Sequence, residues 1–199
     1  MSQTDENLAT VRAVIGVFDR LQIPYALGGS MASSIHGTPR LTLDADLTAE
    51  PFPGKEAQFI ASFGSEYYLD LGAVSQALSG RSSFNVINTN TGFKVDVFIR
   101  KDRPFEFSLM QRRLSRTLSD VPDQPIILVS PEDIILLKLE WYRLGDETSE
   151  RQWRDVLGVL EMQEGRLDDS YLDHWAAELK ISDLLALAGR EAAGGEEQA

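Results

Sequence analysis

The stretch GGSMASSIHGTPRLTLDAD, from Gly28 to Asp46, constrains this chain more than any other. It reads as a glycine turn, a short helix ending at Gly37, and then a strand through Asp44 and Asp46. Side chains two apart on a strand share a face, so Asp44 and Asp46 point together, with Leu43, Ala45 and Leu47 on the opposite side. Paired carboxylates raise each other's pKa unless a cation lies between them. A hard divalent ion, most simply Mg2+, meets that need. A solvated strand end is the plainer reading of the two acids alone.

Upstream of that strand, Gly28 and Gly29 allow close backbone approach to a ligand. Ser30 stands where a helix N-cap belongs, with Met31 and Ile35 four apart behind it. The free N–H groups of a helix start favour an anion such as phosphate. Capping by Ser30 and phosphate contact share one geometry, and the glycines alone also suit a tight strand-to-helix turn. A further acid lies mid-strand in Phe93-Lys94-Val95-Asp96-Val97-Phe98-Ile99. Val95, Val97 and Ile99 take one face, and Asp96 the other, with Lys94 and Phe98. A carboxylate among such neighbours requires water, a cation or a hydrogen bond.

The rest of the chain supplies a framework. Apolar positions at Val11, Val14, Ile15, Phe18 and Leu21 predict a helix over about Leu8–Leu21 that lies on a sheet. Strands are expected at Tyr25–Leu27, Leu41–Thr48, Tyr67–Leu69, Phe84–Ile87, Phe93–Ile99 and Ile126–Val129. Helices are expected at Lys55–Phe63 and Leu71–Leu78, and a helix or a turn plus a helix over Phe105–Leu118. Ser130-Pro131-Glu132-Asp133 is a strong helix start, with a serine cap and proline at the first helical position. Helices then follow at Pro131–Leu144, Ser149–Gln163, Asp168–Leu179 and Ile181–Ala188. The expected division is an α/β domain over 1–129, a helical domain over 130–190 and a disordered tail over 191–199.

With 199 residues and no cysteine, the chain is long enough for a real core and has no disulfide or zinc–thiolate site. Its polar start and the lack of any long apolar run fit a cytoplasmic protein without membrane partners. A net charge of −12 argues against broad nucleic-acid binding. Arg100, Lys101, Arg103, Arg112, Arg113 and Arg116 read as a solvated helix face, with a local basic patch as the alternative. Trp141, Trp153 and Trp175 read as core. His36 suits a helix C-terminus, and His174 has no assigned role. Lys138 interrupts an apolar stripe of Ile134, Ile135, Trp141 and Tyr142. It either points inward or along a cleft, or snorkels to water.

Gly28-Gly29-Ser30, His36-Gly37-Thr38-Pro39-Arg40, Asp44-Ala45-Asp46 and the later Asp96 together resemble the nucleotidyltransferase superfamily. Its motif is a Gly-Gly/Ser turn, Asp-x-Asp on the next strand and a third carboxylate on a later one. The likeness is greatest to the AbiEii-like toxins and related bacterial groups, and extends to about residue 180. It implies a nucleotidyltransferase-like mixed sheet flanked by helices, an α/β (α+β) fold, followed by an all-helical C-terminal bundle. It implies transfer of an NMP from an NTP to a hydroxyl of tRNA, protein or a small molecule. Asp44, Asp46 and Asp96 would hold two Mg2+ ions, and Asp96 would help deprotonate the acceptor. Gly28, Gly29 and Ser30 would hold the β- and γ-phosphates, with Lys138 on the phosphates also. Arg40 balances charge or binds phosphate. The base and sugar would lie between the two domains.

The polar position on the following helix matches Asp155, with Lys138 or Arg154 as partner, or else a plain surface charge. A toxin role implies an antitoxin partner. The acidic helical half, with Asp146, Glu147, Glu150, Asp168, Asp169 and Asp173, departs from more basic relatives and weighs against a nucleic-acid acceptor. The alternative function is a non-catalytic binding protein of the same fold, acting as antitoxin or assembly partner.

Overall fold

The computed structural model describes residues 3–117 and 125–194. Their elements alternate at first and then turn helical. In order they are α1 (Gln3–Arg20), β1 (Tyr25–Leu27), α2 (Gly29–His36), β2 (Asp44–Ala49), α3 (Glu56–Ala61), β3 (Tyr67–Tyr68), α4 (Leu71–Gly80), β4 (Ser83–Asn88) and β5 (Lys94–Ile99). There follow α5 (Pro104–Gln111), β6 (Leu114–Arg116), β7 (Ile126–Leu128), α6 (Pro131–Leu144), α7 (Glu150–Met162), α8 (Asp169–Glu178) and α9 (Ser182–Gly194). The described residues of Met1–Gly28 and Thr42–Leu128 form one compact unit, here the sheet unit. Those of Gly29–Leu41 and Val129–Ala199 form a second, the helical unit. Gly29–Leu41 thus groups with the helices, although it falls inside the α/β domain proposed from sequence.

The sheet unit is built on a seven-stranded mixed sheet in the order β3-β4-β5-β2-β1-β7-β6. Its centre is the parallel pair β2 and β5, which register Ala45 on Val95, Leu47 on Val97 and Ala49 on Ile99. All six of these side chains are buried, so one face of the pair is apolar throughout. Aromatic rings close that side: Phe59 of α3 lies 5.1 Å from Phe18 of α1 and 5.7 Å from Phe84 of β4. Truncating a fully buried ring such as Phe59 costs about 3–5 kcal/mol. The alternate residues of β2 and β5 are only half-buried, and they carry the acids.

Several expectations change. The helix expected over Phe105–Leu118 stops at Gln111, and Leu114–Arg116 pairs antiparallel with β7 as an edge strand; Leu118 lies outside the described residues. Three of the six residues of the basic cluster are engaged within the sheet unit, while Lys101 and Arg116 are exposed. Arg100 is 6% exposed, grips Glu50 with Nε at 2.9 and 2.8 Å, and lies 3.7 Å over the Phe107 ring. Arg103 binds Glu106, and Arg113 donates to the backbone oxygens of Met110 and Tyr25. These cations are spent inside the sheet unit, because carboxylates and open carbonyls lie within their reach.

In the helical unit, Ser130 caps α6 as expected, its Oγ accepting from the Asp133 N–H at 3.1 Å. The hydroxyls of Ser130 and Tyr171 both donate to the buried Asp133 carboxylate at 2.7 Å. None of the three tryptophans is buried. Trp141 is 52% exposed, and Trp153 stacks 5.2 Å from Tyr142 while its Nε1–H reaches Glu191. The indole N–H favours a place where one edge meets polar groups. Helix α9 continues through Gly194, so residues 191–194 of the expected tail are helical, and 195–199 lie outside the described residues.

Candidate active site

The sheet unit holds the three carboxylates. Parallel pairing of β2 and β5 sets Asp46 directly beside Asp96, and Asp44 beside Lys94. Because β4 pairs on the far side of β5, Asn85 is the other neighbour of Asp96. All these residues fall on the half-exposed face, opposite the apolar one, as the two-residue period requires. The Gly28 N–H donates to the Asp46 carbonyl at 2.8 Å, so the glycine turn leaves β1 beside the acid strand.

Like charges directly opposed on neighbouring strands are unfavourable, and protein donors offset them here. Thr42 Oγ1 donates to Asp44 Oδ1 at 2.9 Å. Lys94 Nζ lies 2.7 Å from Asp96 Oδ2. That hydrogen bond holds the Lys94 ammonium above the usual lysine range, against a counter-effect of burial, and the charges of Asp96, Asp44 and Asp46 add to it. The other oxygen, Asp96 Oδ1, is buried and has no hydrogen-bond partner. A buried carboxylate oxygen without a donor fits a cation ligand. Among the described residues, no group of three or more acids or histidines stands close enough to form a ready-made metal cage. The acids share a face, and Thr42 and Lys94 each hydrogen-bond one of them.

Gly28 also belongs to the sheet unit, whereas Gly29, Ser30, Arg40 and Lys138 belong to the helical unit. Gly29 opens α2 at φ +54°, the left-handed region that glycine enters without penalty. The helix begins at Gly29, so Ser30 lies inside its first turn rather than at the cap. The side of α2 that turns inward is the polar one, with Ser30, Ser33 and His36 buried beside Ala32, while Ile35 is 36% exposed. His36 explains part of this. Its Nε2 donates to the Val129 carbonyl at 2.8 Å, and its own carbonyl accepts from Gln163 at 2.6 Å.

Lys138 points inward and is 5% exposed. Its Nζ lies 2.6 Å from Asp155 Oδ2, so its partner is Asp155, whereas Arg154 pairs with Glu150. Arg40 completes the cluster. Its Nε and Nη2 grip both oxygens of Asp155 at 2.7 and 2.8 Å, and Nη2 also donates to Ser30 Oγ at 2.5 Å. Burial alone raises the Asp155 pKa, but the hydrogen bonds and charges of Arg40 and Lys138 outweigh it and hold the carboxyl below its usual range.

Sequence reading missed two site residues. Lys94 was placed on the Asp96 face without a role, and Thr42 was not singled out. The signal for Lys94 was its two-residue offset from Asp96.

No protein-family model matches the chain, and no curated protein does. Solved structures do. An antigenic nucleotidyltransferase-like protein from Paracoccidioides brasiliensis is 19% identical, with 93% of each chain covered and a TM-score of 0.53. The antibiotic-resistance factor ANT(2'')-Ia is 13% identical, covering 98% of this chain and 100% of that one, at 0.49. JHP933 from Helicobacter pylori is 12% identical, covering 99% and 96%, at 0.47. The first of these shows the fold: a mixed α/β sheet with C-terminal helices, as in a nucleotidyltransferase-like protein.

Proposed function

We propose that this chain is a Mg2+-dependent nucleotidyltransferase, moving an NMP from an NTP to a hydroxyl of an acceptor. One observation carries the reading: Asp44, Asp46 and Asp96 share one face of two neighbouring parallel strands, with Asp96 Oδ1 buried and without a donor. These three would hold divalent ions, two in this reading, whose charge stabilises both oxygens of an in-line displacement. Asp96 accepts the proton of the acceptor hydroxyl. That oxygen forms a bond to the α-phosphorus as the bond to the β-bridging oxygen breaks, and pyrophosphate leaves.

Gly28 has its N–H engaged by Asp46, so its contribution is close backbone approach. In the helical unit, Gly29 and Ser30 offer the first N–H groups of α2 to the β- and γ-phosphates. Lys138 would reach a phosphate while sharing its ammonium with Asp155, and Arg40, held by the same carboxylate, positions Ser30 by donating to its Oγ. The acceptor class (tRNA, protein or small molecule) belongs to this proposal. So do a cytoplasmic location, which rests on the polar start and the lack of a long apolar run, and AbiEii-like membership and a toxin role with an antitoxin partner, which rest on the sequence resemblance alone. No helix among the described residues is long and apolar enough to cross a membrane.

The test is thermal shift and turnover with each NTP, with and without Mg2+. Stabilisation that needs both, and loss of turnover in Asp44→Asn and Asp46→Asn with the melting curve retained, support the transferase. No response to any NTP supports the non-catalytic reading.

A further inference from the structure

We propose that Lys94 is a tethered counter-ion which competes with divalent metal for Asp96, so that metal binding obliges the lysine to leave. This rests on the metal reading of Asp44, Asp46 and Asp96. Three carboxylates on one face of two adjacent strands repel, and the chain supplies its own cation to that face. Lys94 is the register neighbour of Asp44 and is hydrogen-bonded to Asp96 at 2.7 Å. The contact runs along β5, from Lys94 to the residue two further on, and leaves the other Asp96 oxygen without a donor.

A metal ion and this ammonium want the same thing, the lone pairs of Asp96, and they repel each other. The contact can open. The Lys94 side chain is 40% exposed, against 16% for Asp96, so a four-carbon stem at the surface can swing its strongly hydrated head into water. Asp96 stays where the strand holds it. Lys94 therefore offsets one of the three negative charges when metal is absent and raises the threshold at which metal enters.

The experiment is Mn2+ titration of the full chain without nucleotide, followed by EPR, on the unaltered protein, Lys94→Met and Lys94→Arg. Lys94→Met is expected to bind Mn2+ on the order of tenfold more tightly, while Lys94→Arg, which keeps the charge, stays near the unaltered value. Equal or weaker binding by Lys94→Met, with clear binding by the unaltered chain, overturns the competition and leaves the metal reading standing. Absence of binding by all three at millimolar Mn2+ overturns both. Should Lys94→Met fail to fold, the Lys94 ε-ammonium NMR signal of the unaltered chain decides during Mg2+ titration. It should move to the position of solvent-exposed lysines at saturation; a signal that stays in place while Mg2+ binds overturns the proposal.

Discussion

Asp155 binds Lys138 and Arg40 at once, with Lys138 Nζ 2.6 Å from Oδ2 and Arg40 Nε 2.7 Å from Oδ1. One carboxylate thus ties α6 and α7 to the segment that follows α2. Both Lys138 and Asp155 side chains are 6% exposed, so neither can turn to water if the other is lost. Asp155→Ala should therefore destabilise the chain by about 3–5 kcal/mol, the cost of leaving a buried charge without its partner. Urea unfolding at neutral pH checks this.

The same carboxylate makes stability depend on pH. Its folded pKa is depressed, so the stability it contributes is fully present above the unfolded value of about 3.9 and is lost as pH falls through the lower folded value. Between roughly pH 5 and pH 2 the unaltered chain should lose stability more steeply than Asp155→Asn. Parallel slopes for the two would mean that Asp155 does not carry the effect.

Lys138→Met separates packing from phosphate contact. It leaves Asp155 gripped by Arg40 and fills the space with a flexible apolar chain, so the stability loss should be clearly smaller than for Asp155→Ala. If Lys138 also touches the NTP, KM for NTP rises in this variant. An unchanged KM would remove Lys138 from the nucleotide site and leave it a structural residue.

Gly37 is needed for close approach. A Cβ there would lie 2.7 Å from backbone atoms of Gly158 in α7, and one on Gly158 would lie 2.9 Å from Thr38 Oγ1. Gly37→Ala should push the two backbones apart and cost about 1–3 kcal/mol, read as a lowered Tm. Gly54→Ala has open space at its Cβ, so it isolates the conformational cost of φ +84° from any steric one.

Arg100 answers the question of the basic cluster. Arg100→Met should cost about 2–3 kcal/mol through loss of the Glu50 hydrogen bonds and the Phe107 face. It should leave any nucleic-acid affinity unchanged, which a filter-binding measurement can check. A drop in that affinity would restore the patch reading.

Local chemistry was legible in advance where one segment decides it. The two-residue period placed Asp44, Asp46 and Asp96 away from the apolar face, and Ser130-Pro131 announced the start of α6. Misreadings arose where a partner distant in sequence decides. Trp141, Trp153 and Trp175 read as core, yet none is buried, and Glu191 accepts the Trp153 indole N–H. The arginines after β5 look like a surface, yet Glu50 and the Tyr25 carbonyl absorb two of them.

The sequence by itself determined the alternation of strands and helices and the face on which each acid falls, because both follow from backbone periods of a few residues. Only the tertiary structure decided that Asp46 stands beside Asp96, that Asp155 draws in Lys138 and Arg40, and that Gly37 must approach Gly158. Each of those depends on strand register or helix approach, and residues far apart in the chain meet only once the backbone has closed around them.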